Sequence, residues 1–328
     1  MHLAHFTKAD TALEYIFKNN SIKFNSLNGV NDPRESKIWP FKFFCYQDKN
    51  KALFEEGLFE RAHNYILNNF LVCCFSYDNA FPNYQECDLD MRMWAQYADN
   101  HKGLSIIFDQ SKIYHSIKTF TDGDIYHGRI DYLSYPYINQ KNNLTKSNFK
   151  GFIYPTVAIL SHPFLNPTCT DPYMLCLEKI KSIGFEKYMN EHIKYFYNEL
   201  FFTKKDSWSG EREYRFVIHT KNKEKEIFVP LEDSVKAVIL GNDFEHFDKI
   251  LYYARKYHFD LYKLNSRGWH SHLIKIDITD PFNYNGVSLD NTLPINFNYS
   301  TVFTQGVGEK GDIRTVMYDK NSGNFSLL

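Results

Sequence analysis

Apolar and polar positions alternate along this chain in short, changing rhythms rather than long uniform blocks. At the N-terminus HLAHF (2–6) alternates and predicts a short strand. Asp10 reads as an N-cap opening an amphipathic helix from Ala12 to Phe17, and Ile22–Phe24 as a second short strand. NSLNGVNDPRES (25–36) is dense in turn formers and predicts a loop. Residues 51–69 place Leu53, Leu58, Ala62, Tyr65 and Ile66 at helical spacing, and FLVCCFS (70–76) reads as a buried strand. A short helix at DLDMRMWAQYA (88–98) precedes a strand at GLSIIFD (103–109), and IYHGRIDYLSY (125–135) alternates as another strand. The longest helical pattern, 172–203, breaks near Gly184. EYRFVIH (213–219) alternates, IFVPL (227–231) has an edge character set by Pro230, and VKAVILG (235–241) suits a central strand. A helix over 244–257 and strands at 259–264 and 273–278 follow. Strict βαβ alternation is missing, so the expected class is α+β, with mixed or antiparallel sheets and flanking helices. One domain over 1–280 is expected, with a helical insertion near 150–205. The Asn-, Gly- and Ser-rich residues 281–328 are expected to wrap or dock on it.

Composition narrows the class of function. Of the 328 residues 43% are hydrophobic and 17% aromatic, enough apolar mass for a real core. No run approaches a membrane span, and the first residues, MHLAHFTKADTALEY, lack a secretory pattern, so no membrane association is expected. Thirty-eight basic and 39 acidic residues leave a net charge of −1, which excludes a global basic field for nucleic acid but not local patches. None of the six cysteines forms a C-x-x-C pair, and no spacing suggests a metal site. They read as reduced and structural, as in a cytoplasmic protein. Cys73 and Cys74, adjacent in one strand, are expected on opposite faces.

Four segments carry candidate chemistry. In SWSGEREYRFVI (207–218) a Ser/Trp/Gly loop runs into a strand, and a two-residue repeat sets Glu211 and Glu213 on one strand face, roughly 7 Å apart. Like charges this close raise each other's pKa unless something compensates. A solvated edge strand, its glutamates paired with Arg212, Arg215 or nearby lysines, is the plainer reading of the same residues. In AHFT (4–7), His5 and Thr7 share a strand face. Ser76 ends the strand of CFSYDN (74–79). Trp94 and Tyr97, at i and i+3 in MWAQYADNHKGLSIIFD (93–109), form either core or an aromatic wall for a planar ring. Lys204–Lys205 and KNKEK (221–225) beside the Glu-x-Glu strand read as solvated charge, or as a guide for nucleic acid. No Ser–His–Asp signature, Walker loop or G-x-G-x-x-G occurs.

In order, FNSLNGVNDPRE, FLVCCFSYDN, MWAQYADNHKGLSIIFD and WSGEREYRFVI resemble the bacterial family catalogued as domain of unknown function 2971, over about residues 3 to 245. That resemblance implies kinship with accessory and effector proteins of phage-defence loci. A strand-borne H-x-T followed by a helix and a short strand is also similar to the start of ADP-ribosyltransferases, including DNA-modifying toxins of that fold. This second resemblance implies an ADP-ribosyltransferase-like core that takes NAD as substrate and needs no metal. It implies that His5, with Thr7, binds the NAD ribose, that Ser76 or Tyr97 shapes the nicotinamide pocket with Trp94, and that Glu213 carries catalysis with Glu211 as its partner. Here Cys-Phe-Ser-Tyr stands where those enzymes have a Ser-Thr-Ser triplet. The turn-rich loop implies Asn31, Asp32 and Glu35 at the cleft rim, with Arg215 beside them. The function expected is transfer of ADP-ribose to a macromolecular acceptor, protein or nucleic acid, by a toxin or antiviral defence effector with an antitoxin or chaperone partner. The alternative is a non-catalytic sensor or adaptor that binds a protein partner.

Overall fold

The computed structural model describes residues 1–37, 39–44, 56–78, 91–133, 172–220, 224–267 and 270–279, together with three strands between 301 and 327. Two compact units, Met1–Thr279 and Asp280–Leu328, divide the chain.

In the first unit the elements run in the following order. β1 (His2–Thr7) leads into α1 (Ala9–Thr11), which widens at once into a π-helical stretch, Ala12–Phe17. The position preceding α1 is Lys8, so Asp10 lies inside the first turn and is not the N-cap. Then come β2 (Ser21–Ser26), a 3-10 turn (Leu27–Gly29) and α2 (Pro33–Ser36), where the turn-rich sequence predicts only loop. Pro33 suits the first turn of α2, which has no donor to lose there. β3 (Lys42–Phe44), α3 (Leu58–Asn69), β4 (Phe70–Asp78), α4 (Met91–Tyr97), β5 (Leu104–Asp109) and α5 (Gln110–Phe120) follow. β6 (Asp124–Arg129), β7 (Asp131–Leu133) and β8 (Met174–Cys176) precede α6 (Leu177–Ile183) and α7 (Phe185–Phe201), separated at Gly184. The remainder of the expected insertion, up to 171, lies outside the described residues. β9 (Thr203–Lys205), a 3-10 segment (Asp206–Glu211), β10 (Glu213–His219), β11 (Glu226–Pro230), β12 (Val235–Leu240), α8 (Phe247–Tyr257), β13 (Asp260–Arg267) and β14 (His270–Ile276) complete the unit.

Ten of these strands form one sheet, in the order β11-β2-β4-β1-β5-β12-β13-β14, with β10 on β4 and β6 on β10. β12 and β13, joined through α8, are parallel, while every other recorded pair in this sheet is antiparallel. The architecture is α+β with a mixed, mostly antiparallel sheet. Period-2 alternation explains its layering. Leu3, Cys73, Phe75, Phe108 and Phe216 face one side, against Leu13 and Phe17, Ile113 and Ile117 of α5, and Ile250 and Ala254 of α8. Phe70, Val72 and Val217 face the other side, against Ala62 and Ile66 of α3 and Phe196 and Leu200 of α7. A third cluster packs Trp94 and Ala98 on Ala4, Ile107 and Ile239. Each such large side chain, fully buried, contributes about 1.5–3 kcal/mol. Cys73 and Cys74 do lie on opposite faces.

The register of β4 creates a fork. On one edge, Phe70–Ser76 pair with β10. On the other edge β2 covers only Val72 and Leu71, and β1 covers only Ser76, Tyr77 and Asp78. Cys73, Cys74 and Phe75 therefore face a gap between β1 and β2, because beyond Ala4 the strand β1 stays with β5 and leaves β4.

In the second unit β15 (Thr301–Val307), β16 (Ile313–Asp319) and β17 (Asn324–Leu327) form a three-stranded antiparallel sheet.

Gly103, at the entry to β5, admits the carbonyl of Thr7 to 2.2 Å from where a Cβ would stand. Gly103→Ala is expected to cost about 1–3 kcal/mol, the range for overpacking a fixed backbone contact. Urea unfolding followed by circular dichroism checks this.

Candidate functional site

A cavity of about 280 Å³ occupies the fork. Its walls come from β1 (Ala4, His5, Phe6), β2 (Lys23, Asn25, Ser26), the turn after it (Gly29, Val30, Asn31), β4 (Val72 to Ser76) and α4 (Met93, Tyr97). Lys204, Glu211 and Glu213 close its end.

Glu211 and Glu213 reach that end by a route the sequence does not announce. They do not share a strand face. Glu211 ends the 3-10 segment, Arg212 turns the chain with a positive φ of 42°, and only Glu213 begins β10. The turn is held by Tyr77, whose N–H donates to the Arg212 carbonyl at 2.9 Å. Ser76 holds it too, its hydroxyl donating to the Glu211 carbonyl at 2.8 Å. Both glutamates are buried. The Glu213 amide donates to the Tyr132 hydroxyl at 2.8 Å.

A charge network explains how two carboxylates tolerate this burial. Arg215, with no exposed surface, donates Nε to Glu213 Oε1 at 2.7 Å. Its Nη1 donates to Glu35 Oε1 at 2.6 Å and to the Phe201 carbonyl at 2.8 Å. Lys204 Nζ lies 3.0 Å from Glu211 Oε2 and 2.6 Å from Glu213 Oε2. Tyr97 donates its hydroxyl to Glu211 Oε1 at 2.5 Å and accepts from Asn31 Nδ2 at 2.7 Å. The series Glu35–Arg215–Glu213–Lys204–Glu211–Tyr97–Asn31 thus begins and ends in one short segment. Burial alone raises the Glu213 pKa, but Arg215 and then Lys204 outweigh it and bring the carboxyl down to about 2. The mutual repulsion expected from a bare Glu-x-Glu is more than compensated.

His5 reaches across the fork, with Nδ1 3.2 Å from the Cys74 carbonyl. A carbonyl only accepts, so Nδ1 carries the proton there, and the neutral ring keeps Nε2 as an acceptor. Burial favours this neutral form by lowering the His5 pKa. Burial also pushes the Cys74 thiol well above its ordinary pKa, which keeps it protonated.

Of the residues singled out from sequence, His5, Ser76, Tyr97, Asn31, Glu211 and Glu213 line the cavity. Thr7 does not; it is buried at the end of β1 opposite Leu104. Trp94 is core, fully buried with its ring edge-on to Phe6, because position i of that helix turns inward while Tyr97 at i+3 faces the fork. Glu35 and Arg215 are not rim groups but lie buried behind the wall. Asp32 is likewise buried, its carbonyl accepting the amides of Glu35 and Ser36. Sequence reasoning missed Lys204 and Tyr132. The double lysine resembles solvated charge, yet only Lys205 is exposed; the preceding Phe201–Phe202 pair is the signal that the chain is still inside.

A family model described as "Protein of unknown function (DUF2971)" matches residues 93–216. Over that segment the chain is similar to the DUF2971 family. The match begins within α4 and holds Tyr97 near its start and Lys204, Glu211, Glu213 and Arg215 at its end, so most of the charge network lies within it. His5, Asn31, Glu35 and Ser76 precede the matched segment. No curated protein and no solved structure matches the chain.

Arg215→Met is expected to cost about 3–5 kcal/mol, because it strands the buried Glu35 and leaves Glu213 with Lys204 alone. The Glu213 pairing also sets a pH dependence. With a folded pKa of about 2 against an ordinary 4.5, its stabilisation is complete above about pH 5 and lost as pH falls toward 2. Urea midpoints between pH 7 and pH 3 are expected to fall for the wild type and to fall less steeply for Glu213→Gln.

Proposed function

We propose that the protein breaks the nicotinamide–ribose bond of NAD and moves ADP-ribose to a macromolecular acceptor, protein or nucleic acid, as a toxin or defence effector. One observation carries this reading. His5, Ser76, Tyr97, Glu211 and Glu213, drawn from four places in the chain, line a single cavity in a forked sheet. They are the residues through which the chain resembles ADP-ribosyltransferases. At about 280 Å³ the cavity sits just below the usual range for small-molecule sites. It therefore suits the nicotinamide–ribose half of a dinucleotide, with the adenylate half in the open mouth beside Lys23.

The residues support the chemistry in distinct ways. His5 Nε2 accepts from a ribose hydroxyl. As the C–N bond breaks, its electron pair leaves with neutral nicotinamide and positive charge develops on the ribosyl carbon. Within the described network three buried carboxyl groups (Glu35, Glu211, Glu213) stand against two cations (Lys204, Arg215), and carboxylates held in place in this way favour such a charge. The acceptor's nucleophile then bonds to that carbon and gives its proton to Glu211 or to water. One observation favours an adaptor instead: both Glu213 oxygens are already engaged, as in a structural ion pair.

Labelled NAD incubated with the full chain and cell lysate separates the two readings. Label moving onto a macromolecule is expected, with Glu213→Gln losing about 10²–10³ in rate at a temperature where it remains folded. Glu211→Gln is expected to lose less. NAD left intact by the wild type would overturn the transferase reading. For the binding step, calorimetry is expected to show His5→Ala weakening NAD by about 1 kcal/mol, roughly fivefold.

A further inference from the structure

Lys204 is unusual among the described lysines. Its side chain is 4% exposed and lies in the cavity wall, with Trp208 stacked on the ammonium at 5.2 Å. Glu213 has a second cation in Arg215, but among the described residues Glu211 has only Lys204. Around this ammonium stand Glu211 and Glu213, with Arg215 and Glu35 behind them and Cys74, Tyr97 and Tyr132 at the sides. Remove the ammonium and two buried carboxyl groups from different elements face each other with no charge between them. In such a pair one carboxyl takes up a proton, and the pair of fixed negative charges is lost.

We propose that Lys204 is the positioning residue of this site, holding Glu211 and Glu213 together as a fixed pair on the cavity wall. It acts through the carboxylates and not on the substrate, and its catalytic relevance rests on the NAD-cleaving reading above. A compact ammonium with three donors can meet two carboxylates arriving from different directions, which the planar fork of arginine does less well.

The test uses the full chain as wild type, Lys204→Met, Lys204→Gln and Lys204→Arg. Carbon-13 NMR of glutamate-labelled protein follows the Glu213 carboxyl with pH, and NAD consumption is measured over the same range. In folded Lys204→Met the Glu213 titration is expected to rise by about one pH unit or more. NAD consumption is expected to fall about 10²-fold, as for a misplaced reacting group, with its acid limb displaced upward. Lys204→Arg is expected to restore the titration and part of the rate. A role confined to stability would lower the melting temperature yet leave both the titration and the acid limb in place, and that result in either folded neutral variant overturns the proposal. Should neither neutral variant fold, the wild-type Lys204 ammonium decides, read by nitrogen-15 NMR of lysine-labelled protein: one that loses its proton at or below its ordinary pH overturns the proposal, and one held charged above that pH by the two carboxylates supports it. A wild type inert toward NAD sinks the functional reading alone, since the titration still judges Lys204.

Discussion

The guanidinium of Arg215 is the constraint on which the first unit depends. A permanent charge with no exposed surface is tolerated only if carboxylates and carbonyls surround it. Those partners come from α2, from the carbonyl at the end of α7 and from β10 itself. Glu35 lies 180 residues before Arg215. One side chain thereby fixes where the turn-rich segment after β2 settles, where the long helix ends, and how β10 enters the sheet. Each partner removed leaves an uncompensated charge, so the contact specifies a single arrangement more strongly than it stabilises any one part.

The sheet makes room for this polar knot by failing to close. β4 keeps its hydrogen bonds to β10 along one edge, which preserves the sheet, while the opposite edge is shared between the ends of two strands that diverge. The polar atoms left over at the fork are then available, and His5 already satisfies the Cys74 carbonyl. A cavity lined by strand edges and closed by carboxylates follows from a pairing defect of three residues.

Much of the fold was legible in the sequence because its strands and helices follow simple periods. HLAHF, FLVCCFS, GLSIIFD and EYRFVIH are all strands of the main sheet, and the break at Gly184 falls between two helices. What resisted reading is long-range or conformational. Nothing local marks Arg212 for a positive φ, so Glu211 and Glu213 looked like neighbours on one face instead of two ends of a bend. Nothing in Lys-Lys separates a buried lysine from a solvated one, and the charges of Arg215 and Glu35 looked like surface because their partners are distant in sequence. Trp94 and Tyr97 illustrate the same limit: helical spacing puts them near each other, but only packing decides which of them faces the core.

The polar series that starts at Glu35 and returns at Asn31 has a consequence for motion. Both ends belong to the segment between β2 and β3, one buried and one at the surface. Lifting that segment away would break the series at two places at once and expose a guanidinium partner. In hydrogen-exchange language, two anchors of this kind are expected to tie the protection of this segment to that of β10, with no low-energy opening of its own.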